Sequence, residues 1–262
     1  MTFEALHHQA APLLLPNAWD VASALAFAEA GFPAVGTTSF GVAAASGSPD
    51  GGRASRQATQ ALARKLRSAP FHLSADIEDG YDDDPERVAE YAAGLGVDGI
   101  NIEDSTDERL IDPALHAAKV AAIKHASPEL FVNARIDTYW LDQKATVEET
   151  LARATAYVAA GADGVFVPGA TDPSELRDLV NNIAAPVNTL VHPTLTMAEL
   201  ARLGVRRIST GSLPYRAAMD AAVRAATDVR DGGTPPAATP YAVMQERLLR
   251  HRRAREKGGE KG

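Results

Sequence analysis

Leu73-Ser74-Ala75-Asp76-Ile77-Glu78-Asp79-Gly80-Tyr81 is an apolar run of β character that ends abruptly in carboxylates. Gly99-Ile100-Asn101-Ile102-Glu103-Asp104 repeats the pattern further along. Parallel strands covered by helices read as continuous apolar runs, and sites in such folds lie beyond the carboxyl ends of the strands. Both stretches therefore read as buried strands that deliver acids to one polar pocket. Neither contains a lysine or arginine, so the converging acids would repel one another unless a hard divalent cation held them. Mg²⁺, with Mn²⁺ as the alternative, suits oxygen ligands.

Outward from these strands, the chain alternates short apolar runs with amphipathic helices at a spacing that suits βα units. Leu13 to Leu15 is a first strand, followed by a helix from Asp20 to Ala30 that stops at Gly31. Pro33 to Thr38 is the second strand. It runs into Ser39 to Gly52, a segment of small residues with little sign of a packed element, whose place after a strand favours a loop approaching a ligand over a linker. A helix from Ser55 to Ser68 precedes the acid-tipped third strand. Pro85 opens the helix before the fourth strand, Val97 to Glu103, and a helix from Pro113 to His125 precedes the fifth, Leu130 to Arg135, which ends in a cation. Thr146 to Ala160 is helical. Asp163 to Gly169, Pro186 to Val191 and Arg206 to Gly211 are the sixth, seventh and eighth strands. Eight strand–helix units predict an α/β fold, a (β/α)₈ TIM-type barrel, over residues 1–230. Residues 231–262 read as a linker, one extra C-terminal helix from Tyr241 to Arg253 and a charged tail.

The composition sets outer bounds. A chain of 262 residues with 45% hydrophobic and 23% charged residues is an ordinary globular protein. A net charge of -8 argues against nucleic-acid binding. The absence of cysteine removes disulfides, thiolate nucleophiles and zinc–thiolate sites. No leader pattern and no run of membrane-spanning length is visible, so a cytoplasmic protein without membrane contact is the expectation.

Asp76, Glu78, Glu103 and Arg135 fall at the same end of three successive strands, against the alternative of a salt-bridge network between surface loops. Asp76 and Glu78 alternate along their strand and can face one side. Asp79 and the run Asp82 to Asp84 read as solvated loop and helix N-terminal charges. Arg135 suits a substrate carboxylate or developing oxyanion, or else a structural salt bridge to Glu103 or Asp137. Asn188 reaches the mouth or is a buried structural amide. His192 is the best placed of the histidines for proton transfer, although Pro193 favours a loop role. Phosphate-loop, nucleophile-elbow and zinc-protease motifs are missing, and no strand ends in a Schiff-base lysine.

With these landmarks the sequence resembles the isocitrate lyase and phosphoenolpyruvate mutase superfamily. The likeness runs from Leu13 to about Val229 and rests on Leu15-Pro16-Asn17-Ala18-Trp19-Asp20, Ser48-Pro49-Asp50-Gly51, Asp76-x-Glu78-x-Gly80-Tyr81, Asn101-Ile102-Glu103-Asp104 and Asn133-Ala134-Arg135. The resemblance implies Mg²⁺ held, partly through water, by Asp76, Glu78 and Glu103. It also implies that backbone amides of Thr38, Ser39 and Phe40 grip the carboxylate of a 2-oxo acid, with Arg135 near the reacting group. Asp50 matches an aspartate that points at the leaving or migrating group, and the last barrel helix is commonly exchanged between subunits of a dimer or tetramer. Two departures stand out. Glu78 replaces the usual aspartate, and the catalytic cysteine of the isocitrate and methylisocitrate lyases is missing, which argues against their reactions. The expectation is a Mg²⁺-dependent lyase acting on a small 2-oxo acid through a pyruvate enolate, such as an oxaloacetate-type decarboxylase. The alternatives are a P–C bond enzyme of the phosphonomutase or phosphonopyruvate hydrolase kind, and a barrel that binds metal and 2-oxo acid without turnover.

Overall fold

The computed structural model describes residues 1–259. A short α1 (Phe3–Leu6) leads to β1 (Leu13–Leu15), which Pro16, having no amide to donate, separates from β2 (Asn17–Ala18). There follow α2 (Val21–Glu29), β3 (Ala34–Thr37), α3 (Ser39–Ala45), α4 (Arg56–Leu66), β4 (His72–Asp76), α5 (Pro85–Leu95) and β5 (Gly99–Glu103). A small hairpin of β6 (Ser105–Thr106) and β7 (Arg109–Leu110) precedes α6 (Pro113–Ala126) and β8 (Phe131–Arg135). The remainder is α7 (Val147–Ala159), β9 (Gly164–Phe166), α8 (Pro173–Asn182), β10 (Val187–Leu190), α9 (Met197–Leu203), β11 (Arg207–Ser209), α10 (Leu213–Arg230) and α11 (Tyr241–Gly259).

The large sheet is parallel throughout, in the order β1-β11-β10-β9-β8-β5-β4-β3-β2. Since β1 and β2 are halves of one interrupted stave, the two ends of that order meet and the eight staves form the predicted TIM-type barrel. Asn17 stitches the seam. Its Nδ2 donates to Thr37 O at 2.7 Å, while its Oδ1 accepts the amides of Thr210 and Gly211, each at 2.9 Å. Gly36 beside it is required by space, because a Cβ there would lie 2.8 Å from Asn17 Nδ2.

Local signals set the helices. In α5, α6 and α8 an aspartate N-cap (Asp84, Asp112, Asp172) accepts an amide of the first turn, and a proline occupies the first helical position. The core between sheet and helices is aliphatic, with Ile77, Ile100, Ile102, Val132 and Ile136 all fully buried. The barrel interior is different: Ser74, Asn101, Asn133, Asn188, Arg207 and Ser209 fill it where branched aliphatics are customary.

Two expectations change. Ser39 to Gly52 is not devoid of structure, since its first half is α3, capped by Thr38. Its small side chains allow close packing: a Cβ on Gly41 would sit 2.8 Å from Trp19 Cβ. The final helix extends past Arg253 to Gly259, and the end of the charged tail, Glu260 to Gly262, lies outside the described residues. This helix docks on its own barrel, with Arg247 and Arg250 paired to Glu29 at 2.7 and 2.5 Å and His251 Nε2 at 2.9 Å from Lys65 O. By contrast α10 has no buried residue, and Met219, Val223 and Val229 stand exposed along it.

Candidate active site

A cavity of about 870 Å³ opens at the carboxyl ends of the strands. It is bordered by Thr38, Ser39, Phe40, Asp50, Asp76, Glu78, Glu103 and Arg135, which are all the sequence-predicted site residues except Asn188. Asn188 lies beneath, where its Nδ2 donates to Ser209 Oγ at 3.1 Å. His192 is off the cavity and braces its own loop, its Nδ1 accepting the amides of Thr194 and Leu195.

The acids differ in how far they are already engaged. Asp76 ends β4, and its Oδ2 accepts the amide of Ser39 at 3.1 Å. Glu78 has left the strand in a left-handed conformation with φ 49°. Its Oε1 accepts from Ser55 Oγ at 2.5 Å and Ser55 N at 3.2 Å, and its Oε2 from Arg53 N at 2.8 Å. Glu103 pairs with Arg135 Nη1 at 2.9 Å, and Arg135 Nε donates to Asp137 at 2.6 Å, so both structural pairings considered for Arg135 are present. The guanidinium also lies 5.6 Å from the Trp140 ring centroid and 5.9 Å from that of Phe166.

Among the described residues no three acids or imidazoles stand close enough to hold one ion between them. The donor set nevertheless suits a hard cation, which Asp76, Glu78 and Glu103 would hold. The donors are all oxygens, and their charges crowd one another. Burial pushes the Asp50 carboxyl up, reinforced by Asp76. It also pushes Glu103 well above the usual range, with Asp137, Asp76 and Glu78 adding to the effect against the opposing pull of Arg135. A dication would offset that excess.

Of the three amides expected to grip a carboxylate, two already have acceptors: Thr38 N donates to Ala18 O at 3.1 Å and Ser39 N to Asp76. Phe40 N has no partner among the described residues.

A family model, phosphoenolpyruvate phosphomutase, matches residues 3–230. The chain belongs to that family. It sits within the isocitrate lyase/phosphoenolpyruvate mutase superfamily, as the resemblance implied. A functionally uncharacterised protein of Mycobacterium tuberculosis is 58% identical over 249 residues, 95% of this chain and 96% of its own. An oxaloacetate decarboxylase of Pseudomonas fluorescens is 32% identical over 170 residues, 59% of this chain and 57% of that one. The crystal structure of a phosphonopyruvate hydrolase in complex with oxalate and Mg²⁺ superposes with a TM-score of 0.84 at 25% identity and covers 98% of both chains. Superfamily members of these kinds are lyases and mutases of small acids. Among the described residues no helix is long and apolar enough to cross a membrane.

This phosphoenolpyruvate phosphomutase-family barrel also places groups at the cavity that sequence reasoning missed. Asp79, expected to be solvated, is buried and accepts Arg53 Nη2 at 2.6 Å, Thr106 Oγ1 at 2.7 Å and Tyr81 N at 2.9 Å. Burial raises its proton affinity, but Arg53, Thr106 and the nearby Lys119 outweigh that and hold its carboxyl below the usual range. Nothing near Asp79 in the chain announces Arg53, Thr106 or Lys119 as its partners. Arg207 also borders the cavity, and it shares the inward face of β11 with Ser209. Strand alternation could have marked it.

Proposed function

We propose that this chain is a Mg²⁺-dependent lyase that breaks a bond at C3 of a small 2-oxo acid, as an oxaloacetate-type decarboxylase does. The reading rests above all on Asp76, a carboxylate at the end of a barrel strand, facing a cavity that also collects Asp50, Glu103 and Arg135. Asp76, with Glu78 and Glu103 beside it, would hold the ion. When bound, Mg²⁺ supplies a Lewis acid that draws electrons from the 2-oxo group. Arg135, fixed by Glu103 and Asp137, presents a positive charge to the negative charge that grows as the bond at C3 breaks. The Phe40 amide can donate to the substrate carboxylate. Asp50 carries a raised proton affinity and lies within the same cavity, where it can give or take a proton at C3. Phe40 and Trp140 add apolar surface to the cavity wall.

A second reading, P–C bond cleavage or migration, draws on one observation. A phosphonyl group needs more cations than Arg135, and Arg53 and Arg207 also border the cavity. The experiment is to incubate purified protein with Mg²⁺ and a panel of 2-oxo acids, with and without EDTA. Release of CO₂ with a shorter 2-oxo acid supports the first reading; pyruvate with phosphate, or phosphoenolpyruvate formed from phosphonopyruvate, supports the second. Ligand-dependent melting shifts without any product would replace both with a binding protein.

We also propose a homo-oligomer, dimer or tetramer, in which α10 is exchanged. An eighteen-residue helix with nothing buried is stable only when its apolar stripe meets another surface.

A further inference from the structure

Arg207 is a buried cation with no carboxylate in contact with it among the described residues. Its residue is 3% exposed, Nη1 is buried without a partner, and Nε makes one long hydrogen bond of 3.3 Å to Ser209 Oγ. Among the described residues it makes no ion pair, whereas Arg53, Arg135 and Arg153 each engage two carboxylates. The side chains that line the interior beside it are neutral: Asn188 is bound to Ser209, and Ser74 Oγ on β4 is a second buried donor with no partner, while the charge of Asp76 reaches Arg207 only through space. Arg207 and Ser74 border the same cavity as Asp76. A buried guanidinium without a contacting carboxylate is costly, so a fold keeps one where something else supplies the negative charge.

We propose that Arg207, with Ser74 and Ser209, forms an oxyanion subsite on the cavity floor. It takes a carboxylate or phosphonyl arm of the bound acid. This rests on the reading of the cavity as a 2-oxo acid site and narrows the substrate class. A carboxylate that leaves as CO₂ loses its charge, and pairing it with a buried cation would stabilise the bound acid more than the transition state. The arm held by Arg207 is therefore one that stays anionic through the reaction. The substrate is a 2-oxo acid bearing a second oxyanion that outlasts the bond cleavage.

The test measures melting shifts and binding isotherms, with Mg²⁺, for oxalate (no arm), 2-oxoglutarate (carboxylate arm), 3-phosphonopyruvate (phosphonyl arm) and 2-oxopentanoate (uncharged arm), on the natural protein, Arg207→Gln and Arg207→Lys. At least one charged-arm acid should bind the natural protein about tenfold or more tighter than 2-oxopentanoate, and which one does so identifies the arm. Arg207→Gln should abolish that preference, leave oxalate binding unchanged, and melt no lower than the natural protein without ligand, since it removes an unpaired buried charge. Arg207→Lys should restore part of the preference. Equal loss of oxalate binding in Arg207→Gln would overturn the proposal by showing that Arg207 acts through Asp76. So would the absence of any preference in the natural protein, or a lower melting temperature for unliganded Arg207→Gln. If the natural protein bound none of the four, oxalate included, the reading of the cavity itself would fall and the subsite with it.

Discussion

The backbone amide of Arg53 donates to Glu78 Oε2 at 2.8 Å, so the loop that carries Asp50 is tied to the acid just beyond β4. Both residues have left-handed backbones, with φ 64° and 49°. Non-glycine residues persist in that region only where their surroundings hold them. Here Arg53 is held from both ends, because its side chain grips Asp79 while its amide grips Glu78.

Arg53→Ala should loosen this latch. The buried Asp79 would keep Thr106 and Lys119 but lose its main cation, for a loss of about 2 kcal/mol, less than breaking a fully buried pair. Urea denaturation measures that loss. Hydrogen exchange should show faster opening of the 46–54 segment and little change in the helices. Unchanged exchange there would mean that the loop is held by other contacts.

Asp76→Ala should abolish Mg²⁺-dependent ligand binding and turnover and leave a folded barrel by circular dichroism. The change removes the acid placed to contact the ion and also relieves the crowding felt by Asp50 and Glu103. Full Mg²⁺-dependent turnover in this variant would sink the metal assignment.

Asp50→Asn keeps the size of the side chain and discards its charge. It should lower kcat by about ten- to a hundredfold, while oxalate binding changes by no more than about threefold. If kcat for the true substrate is untouched, the chemistry rests on Asp76 and its neighbours alone.

His7 and His116 make folding pH-dependent. Both are buried with orphaned ring nitrogens, and burial is the main cause that pulls each down to about 3. Below the ordinary histidine value near 6.5 the unfolded chain takes up protons that the folded chain refuses. Stability is therefore full above that value and is lost as pH falls toward 3, by about 2 kcal/mol per histidine between pH 7 and 5. Denaturation series at the two pH values should show this loss, and His116→Leu should remove its share. An equal pH response in that variant would clear His116 of the effect.

Exchange of α10 predicts that light scattering at micromolar concentration finds a dimer or tetramer. Val223→Asp, on the exposed face of that helix, should shift the particle toward the 27.6 kDa protomer. A natural protein already at 27.6 kDa would remove the exchanged-helix proposal.

Much of the fold is written locally. The Asp-Pro starts of α5, α6 and α8 are in the sequence as they stand in the structure, as are the glycine stops at Gly31 and Gly161. The strand ends bearing Asp76, Glu103 and Arg135 were legible because an apolar run broken by a charge is a one-dimensional pattern. The first half of Ser39 to Gly52 escaped because α3 is built of small residues without an amphipathic stripe, and its helix depends on the Thr38 cap and on packing against Trp19.

The sequence by itself determined the number and order of the βα units and which strands end in acids, since hydrophobic period and chain-stop residues act over a few neighbours. Only the tertiary structure decided the charge state and freedom of those groups. Asp79 is neutralised by an arginine 26 residues away, and Arg135 is claimed by two carboxylates from different positions. Asn17 closes the barrel across 193 residues, and Arg207 Nη1 is left without a partner in its interior among the described residues. Charge pairing and burial depend on distances in space, and side chains far apart along the chain become neighbours only when the last stave closes on the first.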